Sequence, residues 1–507
     1  MRPSRAPGSR GERTQPAADC DAQVPLGSFL LSTAACALAA AATSNGFFLV
    51  ARPLSVAVLP AIIAALIVTR PWGAAFSCAA GVAAGVAAAP LSSMLPAPGR
   101  WALLGATIAA AAFASLAALA LAVLVRRAGR RAVAPLVAGA LAFLTLTLWT
   151  TAWKVASGPL SGRPPLVQAL PIEPPPGGYV SDEAIYSRVS HLVGRGVGYY
   201  EAVRIAWNEK GQTAGDPVGT FSFRLPTLFW LWSILPGSAA ALVPAMLVFG
   251  TVALVAAYRL ASRIVREPFA LVGAALVAVF YTREASASHL LQAEPWGAAL
   301  ALVGAAGWAS ALTAGNGITR ARWTWLAAGS CLAATLLREH FVLVPLAALA
   351  VALGASAERA RKAWIPWLVA LVLFAAAMIA HAAAAAAHTD SVALPLGRWF
   401  APGTRHLVAT VAFGAELLGG LPWMPWMLLA LALAGAAVAR PAPLRGFLLL
   451  ACAAPLVGFL IARPPGTLPD GGQPGYWGAT VTPLLWATAP LAFGWTRSAR
   501  APRPGGD

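Results

Sequence analysis

Residues 288–313 read SHLLQAEPWGAALALVGAAGWASALT. From Pro295 to Thr313 no side chain is charged. A helix rises about 1.5 Å per residue, so a run of this length covers most of a hydrocarbon core about 30 Å thick. One acid, Glu294, stands about a turn and a half into the span. An ionisable group at that depth is expensive to hold and by default marks function. The segment therefore reads as a transmembrane helix with a polar mouth.

Working outward, the same pattern recurs along the chain. Apolar residues make up 59% of it and charged residues 11%, against about 25% charged in an ordinary soluble domain. Spans are expected at 26–43, 47–69, 72–95, 101–125, 132–153, 238–259, 268–282, 288–313, 323–337, 341–354, 363–387, 406–437, 446–462 and 479–495. Pro422 and Pro425 interrupt the stretch 406–437, which reads equally as a re-entrant helix plus a span. The expected fold is all-α: a polytopic membrane helix bundle of about fourteen spans. Its one large external loop, 155–225, contains interfacial helices. In domain terms, 1–25 is a cytoplasmic tail and 26–131 an accessory bundle of four spans. The core is 132–355, and 356–507 holds the C-terminal spans and a short basic tail.

The net charge of +18 raises nucleic-acid binding, but the basic residues form no stripe. They fall in short connections: Arg126/Arg127/Arg130/Arg131, Arg259/Arg263/Arg266, Arg320/Arg322, Arg359/Arg361/Lys362, Arg440/Arg445 and Arg497/Arg500/Arg503. With the spans above, all of these lie on one side, which the positive-inside rule makes cytoplasmic. Both termini are then cytoplasmic and loop 155–225 external, in a bacterial inner membrane. The five cysteines avoid the loop and include no CxxC pair, so neither a disulfide framework nor a thiolate metal site is expected. No phosphate-binding glycine loop of the Walker A or GxGxxG kind is present.

Loop 155–225 collects the polar chemistry. A proline-rich stretch, Pro164 to Pro176, reads as extended. Ser181 then caps a helix running to about Val193, with Asp182 and Glu183 in its first turn. Gly194, Gly196 and Gly198 make a turn. A second amphipathic helix, Tyr199 to about Lys210, puts Tyr199, Val203 and Trp207 on one side and suits the membrane interface. Arg283, Glu284, His289 and Glu294 fall at the external end of later spans, as does the run Arg338-Glu339-His340. These groups can converge beneath Asp182 and Glu183. Each also has a plainer reading: acids favourable at a helix start, a structural Arg338–Glu339 ion pair, an interfacial histidine at 289, and aromatic anchors in the loop.

The loop motif DEAIY, a glycine turn with paired tyrosines, and the run GYYEAV…SFRLPTLFWLWSILPG resemble the GT-C superfamily of integral membrane glycosyltransferases. The likeness is nearest to the branch of protein O-mannosyltransferases and bacterial aminoarabinose transferases. Glu294-Pro295 inside a later span, LAATLLREHFVLVP, and Tyr476 in GYWGATVTP are further echoes. The likeness covers 132–355 and, loosely, 356–495. The chain departs from the pattern in placing its acidic loop after the fifth span instead of the first. It also lacks a large soluble C-terminal domain, unlike the oligosaccharyltransferase and arabinosyltransferase types.

The resemblance implies transfer of a sugar from a polyprenyl-phosphate donor to an acceptor hydroxyl on a lipid, glycan or protein, with inversion. Such a donor resides in the bilayer and needs no nucleotide site. Asp182 would act as general base with Glu183 beside it. Arg224, Arg283, Arg338 and His340 would meet the phosphate, and His289 and Glu294 would contact substrate. No cofactor is demanded; a divalent metal is compatible with these acids. A transporter, a lipid-linked glycan flippase and a glycan polymerase are the competing classes. No internal repeat of the transporter kind is evident.

Overall fold

The computed structural model describes most positions of 138–149 and residues 182–214, 223–234, 239–265, 269–284, 288–354, 363–389, 404–417, 423–461 and 475–494. The expected spans at 26–43, 47–69, 72–95 and 101–125, the N-terminal tail and the proline-rich stretch lie outside these residues, and the span at 132–153 is described only in part.

Every described element is helical. The polar loop supplies α1 (Asp182–Gly194) and α2 (Tyr199–Ala214), followed by α3 (Thr227–Ile234). The turn between α1 and α2 needs Gly196, whose φ of 88° is left-handed and open to glycine without the Cβ clash other residues meet there. Next come α4 (Ala239–Ser262), α5 (Phe269–Glu284), a 3₁₀ turn at Ser288–Leu291, α6 (Ala293–Thr313) and α7 (Gly317–Leu337). A second 3₁₀ turn, Glu339–Val342, leads into α8 (Leu343–Gly354). Then follow α9 (Trp364–Ala386), α10 (Thr404–Leu417), α11 (Met424–Val438) and α12 (Ala442–Ile461). The last elements are Gly475–Thr480 (3₁₀), α13 (Thr482–Thr488) and Ala489–Gly494 (3₁₀).

Four helical segments are long and apolar enough to cross a membrane: Leu242–Ser262, Ala293–Thr313, Trp364–Ala386 and Ala442–Leu460. Helices α5, α8 and α11 are apolar but shorter. Helix α7 is as long as α6 but carries Arg320 and Arg322 in its first two turns. The structure thus supports a helical membrane protein, with several spans where the apolar windows place them. Within the stretch 406–437, α10 ends at Leu417 and α11 begins at Met424; residues 418–422, Pro422 among them, lie outside the described residues. The final expected span, 479–495, is short α13 between two 3₁₀ turns.

Small residues set the packing. The α6–α7 hairpin packs closely: a Cβ on Gly304 of α6 would overlap Cys331 Sγ of α7. Glycine lets the two backbones approach, and dispersion between close surfaces is what holds helices together where lipid offers no hydrophobic gain. At the other end of the same hairpin, a Cβ on Gly297 would overlap the ring of buried Phe341. That contact seats the turn 338–342 on the start of α6. Gly435 of α11 does the same against the backbone of Thr488 and Ala492, at 2.6 and 2.8 Å. By contrast, α9 presents Ile365, Leu368, Val372, Leu373 and Ile379 outward, as a span on the bundle's lipid side would.

Candidate functional site

Helices α6 and α7 run antiparallel, so the start of one meets the end of the other. Glu294 lies in the first turn of α6 and Arg338 immediately after α7. Both are only 2% exposed, and Arg338 Nε lies 2.9 Å from Glu294 Oε1. The Nε–H does not point at the carboxylate in hydrogen-bond geometry. The two charges are therefore held close by the packing of Gly297 and Phe341, and Arg338 keeps donor capacity.

Glu339 links this pair to the rest of the cluster. Its Oε1 lies 3.6 Å from Arg338, 3.9 Å from Arg224 and 3.8 Å from His340 Nε2. The side chain is 31% exposed, so one edge of the cluster is open. Residues 338–342 form the turn between α7 and α8, outside the four helices long and apolar enough to cross a membrane. Burial there favours a neutral acid, but Arg338, His340 and Arg224 outweigh it and hold the Glu339 carboxyl well below the usual carboxylate range. Burial, reinforced by Arg338, pushes the His340 imidazole down to about 3; it is neutral near pH 7.

The polar loop closes over this cluster. Tyr199 of α2 donates to the Arg224 carbonyl at 2.5 Å, and Arg224 Nε donates to the Tyr186 hydroxyl of α1 at 3.3 Å. Burial pushes the Tyr199 hydroxyl far above its ordinary range, which keeps it a donor. Arg188 and Glu209 join α1 to α2 through two bonds of 2.9 and 2.7 Å, the paired geometry that suits guanidinium and carboxylate. Tyr200 hydrogen-bonds His381 Nδ1 of α9 at 3.0 Å and stacks on His388 with ring centroids 5.6 Å apart. The loop helices are thus fixed to the bundle at two places. Helix α1 also packs on α3 and on the 3₁₀ turn 288–291 that leads to Glu294.

On the other side of the cluster stands Trp477. Its ring lies 4.6 Å from His340, 4.9 Å from His406 and 5.8 Å from the Arg338 guanidinium. His406 is buried, and neither ring nitrogen has a hydrogen-bond partner among the described residues; the same holds for His340 Nδ1, Thr410 Oγ1 and Thr480 Oγ1. No group of three metal-ligating residues occurs among the described residues.

Of the residues singled out in the sequence, Arg224, Glu294, Arg338 and His340 meet in one cluster. Asp182 and Glu183 open α1 as expected, Arg283 falls in the last turn of α5 and His289 in the 3₁₀ turn. The side chains of these four lie outside the described residues. No protein-family model matches this chain, and no curated protein matches it. The sequence placed Glu339 in the converging run 338–340 without a role of its own, and gave no site role to Tyr186, Tyr200, His381, His406 or Trp477. Glu339 carried a usable signal, since it sits between Arg338 and His340 in a charged triplet flanked by apolar spans.

Proposed function

We propose that this protein is a membrane glycosyltransferase, moving a sugar from a polyprenyl-phosphate donor to an acceptor hydroxyl. The observation that carries the reading is the buried Arg338–Glu294 pair, extended through Glu339 to Arg224 and His340 where spanning helices meet the polar loop. Two guanidiniums at a bilayer edge suit a phosphate whose lipid tail stays in the membrane, because arginine pairs its donors with phosphate oxygens. Beside them, His406, Thr410 and Thr480 offer buried neutral hydrogen-bonding groups, the composition that a phosphosugar with uncharged hydroxyls would meet.

The roles follow. The acceptor oxygen attacks the anomeric carbon while the bond from that carbon to the phosphate oxygen breaks. The acceptor proton passes to Asp182, with Glu183 beside it. Charge developing on the leaving polyprenyl phosphate is taken up by Arg338 and Arg224, already oriented by Glu294, Glu339 and Tyr186. Arg283 and His289 are further substrate contacts that the resemblance implies, and His340 is a neutral hydrogen-bonding group.

The test is sugar transfer from a synthetic polyprenyl-phosphate donor to membrane acceptors, using the full chain in proteoliposomes. Asp182→Asn should lower kcat by at least a hundredfold with donor binding retained, and Arg338→Gln should abolish donor binding. If Asp182→Asn transfers at the wild-type rate, the base assignment is wrong. If the wild type moves the lipid-linked sugar across the bilayer without transferring it, the protein is a flippase.

A further inference from the structure

At the end of α6 and α7 remote from Arg338 lie four arginines. Arg259 and Arg263 lie one turn apart at the end of α4, and Arg320 and Arg322 in the first turns of α7. Arg259 is held in place: its guanidinium lies over the Trp323 ring at 4.4 Å, and its Nε donates to buried Ser310 Oγ of α6 at 3.5 Å. Arg320 donates to the Ala314 carbonyl, 2.9 Å away, at the end of α6. Arg263 and Arg322 are exposed. Helices α4 and α7 contain no acid, and the single acids of α5 and α6, Glu284 and Glu294, sit at the other end of the bundle. The intervening connection 266–268 carries Arg266 and Glu267 and lies outside the described residues.

A second, independent feature points to what meets these charges. Val248, Val252 and Val255 of α4 are exposed at 49%, 44% and 45%. With Arg259 they follow a spacing of four, three and four residues, which is one face of α4, and Arg263 follows in the turn just after the helix. An apolar stripe thus runs along the span and ends in guanidiniums. Leu326 of α7, exposed at 48% and three residues beyond Trp323, adds apolar surface on the side of α7 that Arg259 meets. A free phosphate would use the arginines alone; a phospholipid would use both parts.

We propose that this end of the bundle binds an anionic phospholipid, with its phosphate headgroup on Arg259, Arg263, Arg320 and Arg322 and an acyl chain along Val248–Val255. The site is separate from the proposed catalytic cluster and does not depend on the glycosyltransferase reading. Each arginine near an anionic lipid contributes about fivefold in binding, so loss of two lowers it by roughly 25-fold.

The experiment is native mass spectrometry of the delipidated full chain, titrated with phosphatidylglycerol or phosphatidylcholine of identical acyl chains. The first lipid bound should favour phosphatidylglycerol by tenfold or more. Arg259→Gln/Arg263→Gln should lower that preference by roughly 25-fold, and Arg259→Lys/Arg263→Lys should keep most of it. Should the first variant fail to fold, Arg263→Gln/Arg322→Gln alters only surface side chains and should show the same loss. The basic pair Arg440 and Arg445, in another connection, is the control: Arg440→Gln/Arg445→Gln should retain the preference. The proposal is overturned if the Gln variants bind phosphatidylglycerol like the wild type, if the control pair loses the preference equally, or if inorganic phosphate displaces the lipid.

Discussion

Arg338 is the residue on which the cluster turns, because it is buried beside Glu294 and shares Glu339 with Arg224. Removing one member of a buried pair leaves an uncompensated charge and costs about 3–5 kcal/mol, whereas removing both with apolar residues of similar size is far milder. Thermal unfolding in detergent should therefore show Glu294→Leu and Arg338→Leu each strongly destabilised, with Glu294→Leu/Arg338→Leu recovering most of the loss. Additive losses would mean that the two charges do not compensate each other.

The same cluster fixes a pH dependence. Unfolded His340 takes up a proton below its ordinary 6.5, while the folded imidazole does so only near 3; acid between those values favours the unfolded chain. Glu339 is depressed when folded, so its contribution is present above the ordinary carboxylate range and is lost on further acidification. Both act in one direction. Melting temperature should fall by several degrees from pH 7 to pH 4, and His340→Gln should flatten the upper part of that decline. A profile unchanged by His340→Gln would exclude the histidine as its source.

At the scale of elements, the contact of Gly297 with Phe341 decides whether the turn 338–342 sits on α6. Gly297→Val would force the Phe341 ring aside, and overpacking of this kind costs about 1–3 kcal/mol. It should also weaken donor binding through displaced Arg338, an effect that Gly329→Ala on the open side of α7 should not produce. The loop helices have their own anchor in Tyr200 and His381. Tyr200→Phe should raise hydrogen exchange across 182–214 while leaving α6 and α7 protected; unchanged exchange in that region would show that the Tyr200–His381 bond is not what protects the loop helices.

Most of these elements were legible in sequence, and the reason is physical. A charge-free apolar window admits one structure in a bilayer, so α4, α6, α9 and α12 fall within a few residues of their expected bounds. Glu294 and Arg338 were expected on one side because alternate connections between spans share a side. The bridging role of Glu339 was not legible. Successive residues of an α-helix point away from each other, and only the 3₁₀ turn at 339–342 gathers 338, 339 and 340 around one carboxylate. Trp477 and His406 come from segments distant in sequence, and no local pattern announces that their rings meet. The pairing of Tyr200 with His381 crosses 181 positions and is equally silent.

At the scale of the molecule, the two clusters described lie at two ends of the described helices. One holds acids and arginines in nearly balanced contact, under helices of the loop; the other holds arginines with an apolar approach. That division makes the two proposals separable. Arg338→Gln should abolish donor binding and leave the phosphatidylglycerol preference intact, while Arg259→Gln/Arg263→Gln should do the reverse. Loss of both properties in either variant would mean that the ends are not independent.

The closeness of Glu294 and Arg338 bears finally on how the chain enters its membrane during synthesis. A lone charge costs an inserting helix about 2.5–3.5 kcal/mol at its centre and less towards its ends; Glu294 lies in the first turn of α6, and α6 emerges from the ribosome with this glutamate before α7 has been made. Once α7 follows, the hairpin can neutralise itself. The two helices are thus suited to leave the translocon together, as one unit. A chain ended after Thr313 should integrate inefficiently in a glycosylation-mapping assay, one ended after Gly354 should integrate well, and Glu294→Gln should rescue the shorter chain.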